Sequence, residues 1–158
     1  MLGILKSSLQ NTDKDFFMIH NLNQLVHTST NSCVFCDEVG TTTTSLLTNI
    51  LQRIQILYFN GIVITDDLTE AQSLIHIPNA KKRFLYLYHV EWPYINNLHF
   101  KQLDSVFLND HIDLIARSDS HAKLIEQVFK APKYVMPEWD YKTLIRIDQN
   151  ELRRTTHT

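Results

Sequence analysis

GIVITDDLTEAQSLIHIPNAKKRFLYLYHV, residues 61–90, decides the fold. Gly61 to Thr65 is uncharged and almost wholly apolar, as expected of a strand with both sheet faces covered. Asp67-Leu68-Thr69-Glu70 follows, a capping-box-like start with a carboxylate three residues after the cap. Leu68, Ala71, Leu74 and Ile75 then share one helical face. RFLYLYHV (83–90) is rich in aromatic and branched apolar residues and predicts a second strand. Strand, helix and strand in so short a span make a βαβ unit, whose two strands run parallel.

The same alternation extends in both directions. On the N-terminal side, FFMIH (16–20) and CVFC (33–36) read as strands. Thr42 to Gln55 reads as an amphipathic helix, with Leu46, Leu47, Ile50, Leu51 and Ile54 spaced three and four apart. On the other side, Pro93 breaks the pattern, and Asn96 to Phe107 is expected to form a helix burying Leu98, Leu103, Val106 and Phe107. DLIAR (113–117) predicts a strand, and Ala122, Ile125, Val128 and Phe129 mark the helix after it. KYVM (133–136) is a last short strand, stopped by Pro137. The expected fold is α/β: a single Rossmann-like three-layer domain over residues 1–150, its sheet mostly parallel with helices on both faces, and a polar tail at 151–158.

Composition narrows the function classes. With 158 residues, 44% apolar and 20% charged, the chain suits one globular domain. A net charge of −2 gives no basic field, and only Lys81-Lys82-Arg83 and Arg153-Arg154 form tight basic clusters, so no nucleic-acid partner is expected. No run reaches the roughly 18–20 apolar residues of a membrane span, and the N-terminus lacks a signal-peptide pattern. Two cysteines cannot staple a domain of this size and suit a reducing compartment, so the expected location is cytoplasmic. Only Gly3, Gly40 and Gly61 are present; neither the dinucleotide fingerprint nor a P-loop occurs, and no cofactor is assigned.

In parallel α/β sheets, ligands gather beyond the carboxyl ends of the strands. The candidate positions are Asp66 and Asp67, then His89 to Trp92, then Ser118 to His121, then Glu138 to Asp140. Ser118-Asp119-Ser120-His121 holds the residue types of a hydrolase site. Neighbours along a helix do not face one another, however, and the flanking glycines of a nucleophile elbow are missing. Ser118 or Asp119 is expected to cap the following helix, either alone or with the helix N-terminus also meeting an anionic or hydroxyl-rich ligand. His89-Val90-Glu91-Trp92-Pro93-Tyr94 sets a histidine, a carboxylate and aromatics at a strand end. Alternation puts His89 and Glu91 on one face, able to act as a pair, while the aromatics suit either sugar stacking or a lid on the core. Cys33 and Cys36 lie in a strand-like run rather than at a helix start, and read as buried small apolar residues. The eight histidines are scattered and form no metal-binding motif, so no metal site is expected.

Residues 61–92 and 113–140, with an acidic-Trp pair after one strand and the junction LIARSDSH, resemble the N-terminal Rossmann-like half of GT-B glycosyltransferases. The likeness is greatest to short glycosyltransferase-like proteins encoded by bacteriophages, and it covers roughly residues 60–140. It implies an acceptor-side cleft at His89, Glu91, Trp92, Ser118 and His121, with Glu138 and Asp140 as further ligand-binding candidates. Glu91 or His89 would be the general base that deprotonates an acceptor hydroxyl. Only 18 residues follow Asp140, so the nucleotide-sugar-binding half is not expected here, nor is catalysis in cis. The expected partners are a sugar or other hydroxyl acceptor and a partner chain or second copy. An alternative expectation is a non-catalytic structural or interaction module on the same fold, a virion component or host-factor binder. A receiver-like reading of Asp66-Asp67 lacks the expected phosphoacceptor strand and lysine.

Overall fold

The structure is a computed structural model that describes residues 1–89 and 104–154, the last three by backbone alone. The strands are β1 (Leu2–Leu5), β2 (Ser8–Leu9), β3 (Ser32–Phe35), β4 (Glu38–Val39), β5 (Asn49–Leu51), β6 (Ile62–Thr65), β7 (Lys82–Leu87), β8 (Ile112–Ala116) and β9 (Tyr134–Val135). Among the described residues the helices of eight or more residues are α1 (Asp13–Leu25), α2 (Leu68–Ile75), α3 (Asp119–Val128) and α4 (Tyr141–Arg154), with 3₁₀ turns at Arg53–Tyr58 and Pro137–Trp139.

Seven strands form one wholly parallel sheet in the order β5-β3-β1-β6-β7-β8-β9. Outward from β1, the sheet grows one way through β3 and β5 and the other way through β6 to β9, the doubly wound order of a Rossmann-like domain. The strand order reverses between β1 and β6. β2 and β4 pair as a small separate parallel ladder, two residues past the ends of β1 and β3.

Successive strand residues face opposite layers. Leu2, Ile4, Ile62, Ile64, Phe84 and Tyr86 join Met18, Ile19 and Leu22 of α1 and Leu144 and Ile147 of α4 in one core. Leu5, Val63, Leu85 and Leu114 join Ala71 and Leu74 of α2, Ile125 of α3, and Phe107 from the segment before β8 in the other. Both sheet faces are therefore covered, which is why these strands are continuously apolar. The α/β three-layer architecture expected from the sequence is the one observed.

Two glycines serve close packing. A Cβ on Gly3 would lie 2.8 Å from the Phe59 ring, and one on Gly61 would lie 2.6 Å from the Met1 carbonyl oxygen. Phe59 thus lies across both central strands on a floor only glycine provides.

Two local expectations are corrected. Residues 16–20 are not a strand but part of α1. Thr12 caps that helix by accepting from the Asp15 amide at 3.1 Å, and Met18, Ile19, Leu22 and Leu25 keep the helical spacing. Residues 42–55 are not a helix. Asn49 to Leu51 instead pair with Cys33 to Phe35 as the edge strand β5, and the chain then tightens into the Arg53–Tyr58 turn. Asn49 to Leu51 take the extended form because the edge of β3 supplies their ladder partners, which overrides the three-and-four spacing. Of the helix expected over 96–107, residues 104–107 are helical and 96–103 lie outside the described residues.

Candidate functional site at the carboxyl edge of the sheet

At the point where strand order reverses, the chain leaves β1 into Lys6 and leaves β6 into Asp66. Lys6 Nζ lies 2.8 Å from Asp66 Oδ1 and 2.7 Å from Asp15 Oδ1 in the first turn of α1. All three residues are buried. Lys14 Nζ stands 3.7 Å from the other Asp66 oxygen. Burial works to lower the Lys6 pKa, but the Asp66 and Asp15 carboxylates outweigh it and raise it. Beside this network, between Lys14, Asp66, Tyr86, Tyr88 and His89, remains a recess of about 10 Å³, room for one water. Where many doubly wound folds hold a dinucleotide, this protein places a buried ion network of its own. Asp67 caps α2 by accepting from the Thr69 amide at 2.9 Å, and Ser7 donates to its other oxygen. Glu70 does not complete a capping box; it accepts a two-point contact from Arg53, with Nη2 at 2.7 Å.

The open space lies further along the edge, beyond β7, β8 and β9. A cleft of about 330 Å³ is lined by Tyr88, His89, Arg117, Ser118, Ser120, His121 and Leu124. That is the low end of the range for small-molecule sites. Each lining group is set by the strand or helix it terminates. β7 ends into Tyr88 and His89, whose rings meet edge-on at 4.7 Å. β8 ends into Arg117, whose guanidinium lies over the Tyr88 ring, 4.4 Å from its centre. Ser118 caps α3, accepting from the His121 amide at 3.2 Å, and its hydroxyl lies 3.0 Å from that of Ser120.

Glu138 ties this wall together. Its Oε1 accepts from Arg117 Nε at 3.0 Å and from Nη2, and its Oε2 accepts from the Tyr88 hydroxyl. Burial acts to raise the Glu138 pKa, but the Tyr88 and Arg117 hydrogen bonds and the guanidinium charge hold it below the usual carboxylate range. Burial and the Glu138 contact push the Tyr88 hydroxyl far up. Glu138 (φ 47°, ψ 40°) and Trp139 (φ 61°) both adopt left-handed backbone, which costs a residue other than glycine about 1–2 kcal/mol each. Fully buried Trp139 packs edge-on against Tyr86 at 5.0 Å, and Asn21 of α1 donates to the Glu138 carbonyl at 2.9 Å. Strain held in place by packing is characteristic of sites rather than of ordinary turns.

His121 is 6% exposed, and its Nε2 has no hydrogen-bond partner among the described residues. Burial, then Arg117, then His89 push its pKa down. Asp140 caps α4, accepting from the Thr143 amide at 2.9 Å and from its hydroxyl at 2.8 Å. His89, Ser118 and His121 therefore meet at one cleft, with Glu138 bonded to the Arg117 and Tyr88 that line it and Asp140 turned to a helix cap. Glu91 and Trp92 lie outside the described residues. The roles of Tyr88, Arg117 and Asn21 were not legible, because each sits inside a run that reads as ordinary strand or helix.

Cys33 and Cys36 are free and buried, and burial pushes the Cys33 thiol up to about 11, so neither is a thiolate at neutral pH. Among the described residues no group of three or more His, Cys, Asp or Glu could hold a metal ion. No described helix is long and apolar enough to cross a membrane. Comparison with family models, with curated proteins and with solved structures finds no match. Fold and geometry define a Rossmann-like α/β domain with a small polar cleft at the carboxyl edge of its sheet.

Proposed function

We propose that the chain is the acceptor-side domain of a glycosyltransferase-like protein of bacteriophage type, and that its cleft receives a hydroxyl-bearing acceptor. What carries the reading is the convergence of His89, Ser118 and His121, three of the five residues implied by the family resemblance, around one cleft of about 330 Å³. They come from the ends of β7 and β8 and the first turn of α3. His89 is exposed at the rim, where an imidazole can reach an acceptor hydroxyl. In the transfer step the base, His89 or Glu91, takes the hydroxyl proton as the oxygen bonds to the anomeric carbon. The bond to the donor's leaving group breaks, and that group departs with the electron pair. The buried ion network between β1 and β6, where doubly wound folds often hold a nucleotide, supports the acceptor as this domain's ligand.

The test is a ¹⁵N–¹H NMR titration with neutral mono- and disaccharides. Shifts confined to the amides of Tyr88, His89 and residues 117–124, and lost in His89→Ala, are expected. Saccharides that leave those amides unmoved at millimolar concentrations sink the proposal.

A second reading, a non-catalytic interaction module such as a virion component or host-factor binder, draws on a different face. Leu47, Ile54 and Tyr58, near the β5 edge, are 62%, 62% and 83% exposed, an apolar surface of the kind that marks protein contacts.

A further inference from the structure

We infer that β5 is a self-association edge: two copies of this chain join β5 to β5 antiparallel, about a two-fold axis at Ile50, and so extend one sheet into the other. The surface lies at the opposite end of the strand order from the acceptor cleft. It gives a definite partner to the face on which the interaction-module reading draws.

The two ends of the sheet differ. β9 closes one end with two residues, and beside them Lys133 is ion-paired with Asp113 at 2.9 Å and with Glu151 at 2.8 Å. Short strands and charge, lysine above all, are how sheets protect an edge. β5 at the other end carries no charged residue. The connection that leads to it, residues 36–48, holds only the short β4, where parallel strands are usually joined through a helix.

The outer edge of β5 is open. The Leu51 carbonyl accepts from the Cys36 amide at 3.0 Å, so the Leu51 peptide groups face β3. Direction alternates along a strand, and the N–H and C=O of Ile50 therefore point away from β3. An added strand is the occupant that pairs such groups. Apolar side chains flank them. Ile50 stands opposite Val34, which belongs to the core that α1 covers, so Ile50 carries that core out to the surface. Val26, at the end of α1, and Leu47 line one groove of about 200 Å³. Asn23 of α1 holds the two segments together, accepting from the Leu47 amide at 2.8 Å. Val26, Leu47 and Ile50 are 49%, 62% and 41% exposed.

Charge selects a second copy over a different partner. Of the whole chain 20% is charged, yet between Phe16 and Asn60 only Asp37, Glu38 and Arg53 are, and Arg53 is held by Glu70. Depletion of charge marks the core of a protein interface. A two-fold interface sets each patch against itself, so a charged patch repels its own copy and a neutral one does not. A different protein would have to recognise this face without complementary charge. About the axis, each Ile50 N–H donates to the Ile50 carbonyl of the second copy, and the two side chains stand directly opposite.

The experiment measures the mass of the full chain by light scattering, from low micromolar to several hundred micromolar. The mass is expected to rise from one chain to two. Ile50→Lys and Ile50→Asp, each checked for a native circular dichroism spectrum, are expected to stay monomeric alone. Their equimolar mixture is expected to dimerise, because opposite charges then meet across the axis. In the unaltered chain, the Ile50 amide is expected to exchange with solvent at least about tenfold more slowly once the dimer forms. A chain that stays monomeric at every concentration overturns the inference and leaves both readings of function standing, since neither needs a second copy. A dimer that survives Ile50→Lys overturns it as well. So does a mixture of the two variants that fails to pair, or an Ile50 amide whose exchange ignores concentration.

Discussion

His121 carries a charge problem that can be read as a function of pH. In the unfolded chain its imidazole titrates near 6.5, whereas in the fold burial, Arg117 and His89 depress it. The unfolded state therefore binds more protons in the window below that value, and stability is lost as pH falls through it. Urea midpoints taken from about pH 7.5 down to about pH 5.5 should decline, and His121→Gln should flatten the decline. A variant that declines as steeply as the parent would show that other groups set the slope. Glu138 has a related double duty, since it holds Arg117 and Tyr88 while standing in left-handed backbone that its side chain disfavours. Asn21 and the buried Trp139 fix the chain on either side of that strain.

At the scale of elements, the packing of Phe59 against β1 and β6 makes the sharpest claim. Gly61→Ala would drive a methyl into the Met1 carbonyl oxygen and the Phe59 ring. Backbone cannot yield as a flexible side chain does, so a loss of about 1–3 kcal/mol is expected in chemical denaturation. An alanine variant as stable as the parent would mean the two strands can part. The C-terminal two-thirds of the fold was legible because strand runs there are wholly apolar and α2 and α3 announce their caps at Asp67 and Ser118. Residues 42–55 were misread because three-and-four spacing of leucines and isoleucines also fits a short edge strand followed by a tight turn. Residues 16–20 were misread because a five-residue window hid the helical spacing that continues to Leu25. In the site, the strand-end rule found His89, Ser118, His121 and Glu138. It could not find Arg117 stacked on Tyr88, because that contact depends on two adjacent strands ending level. Lys6 and Asp15 escaped for a similar reason, since they reach the strand-end candidate Asp66 from other elements.

For the whole molecule, that ion network closes the reversal point between the halves of the sheet. Lys6→Met would leave the buried Asp15 carboxylate without its cation and Asp66 with only Lys14 at 3.7 Å, and is expected to cost about 3–5 kcal/mol. Replacing all three together, as Lys6→Met with Asp15→Leu and Asp66→Leu, should recover most of that loss, because apolar groups of similar volume carry no desolvation penalty. Recovery should stop short by about 1–3 kcal/mol, since Asp15 also accepts the Gln10 amide at 2.9 Å. A triple variant no better than Lys6→Met, by urea midpoint, would assign the network a role beyond charge compensation. The place of β1 has a further consequence, for the order of events during synthesis. β1 lies inside the finished sheet, bonded on one side to β3 and on the other to β6, whose residues lie 60 positions later in the chain. A growing chain that has not yet reached Ile62 holds β1 with one edge bare, and Lys6 then has Asp15 but not Asp66. Both edges of β1 are therefore seated only once β6 has followed it, and until then its apolar open edge is a surface on which a chaperone can act.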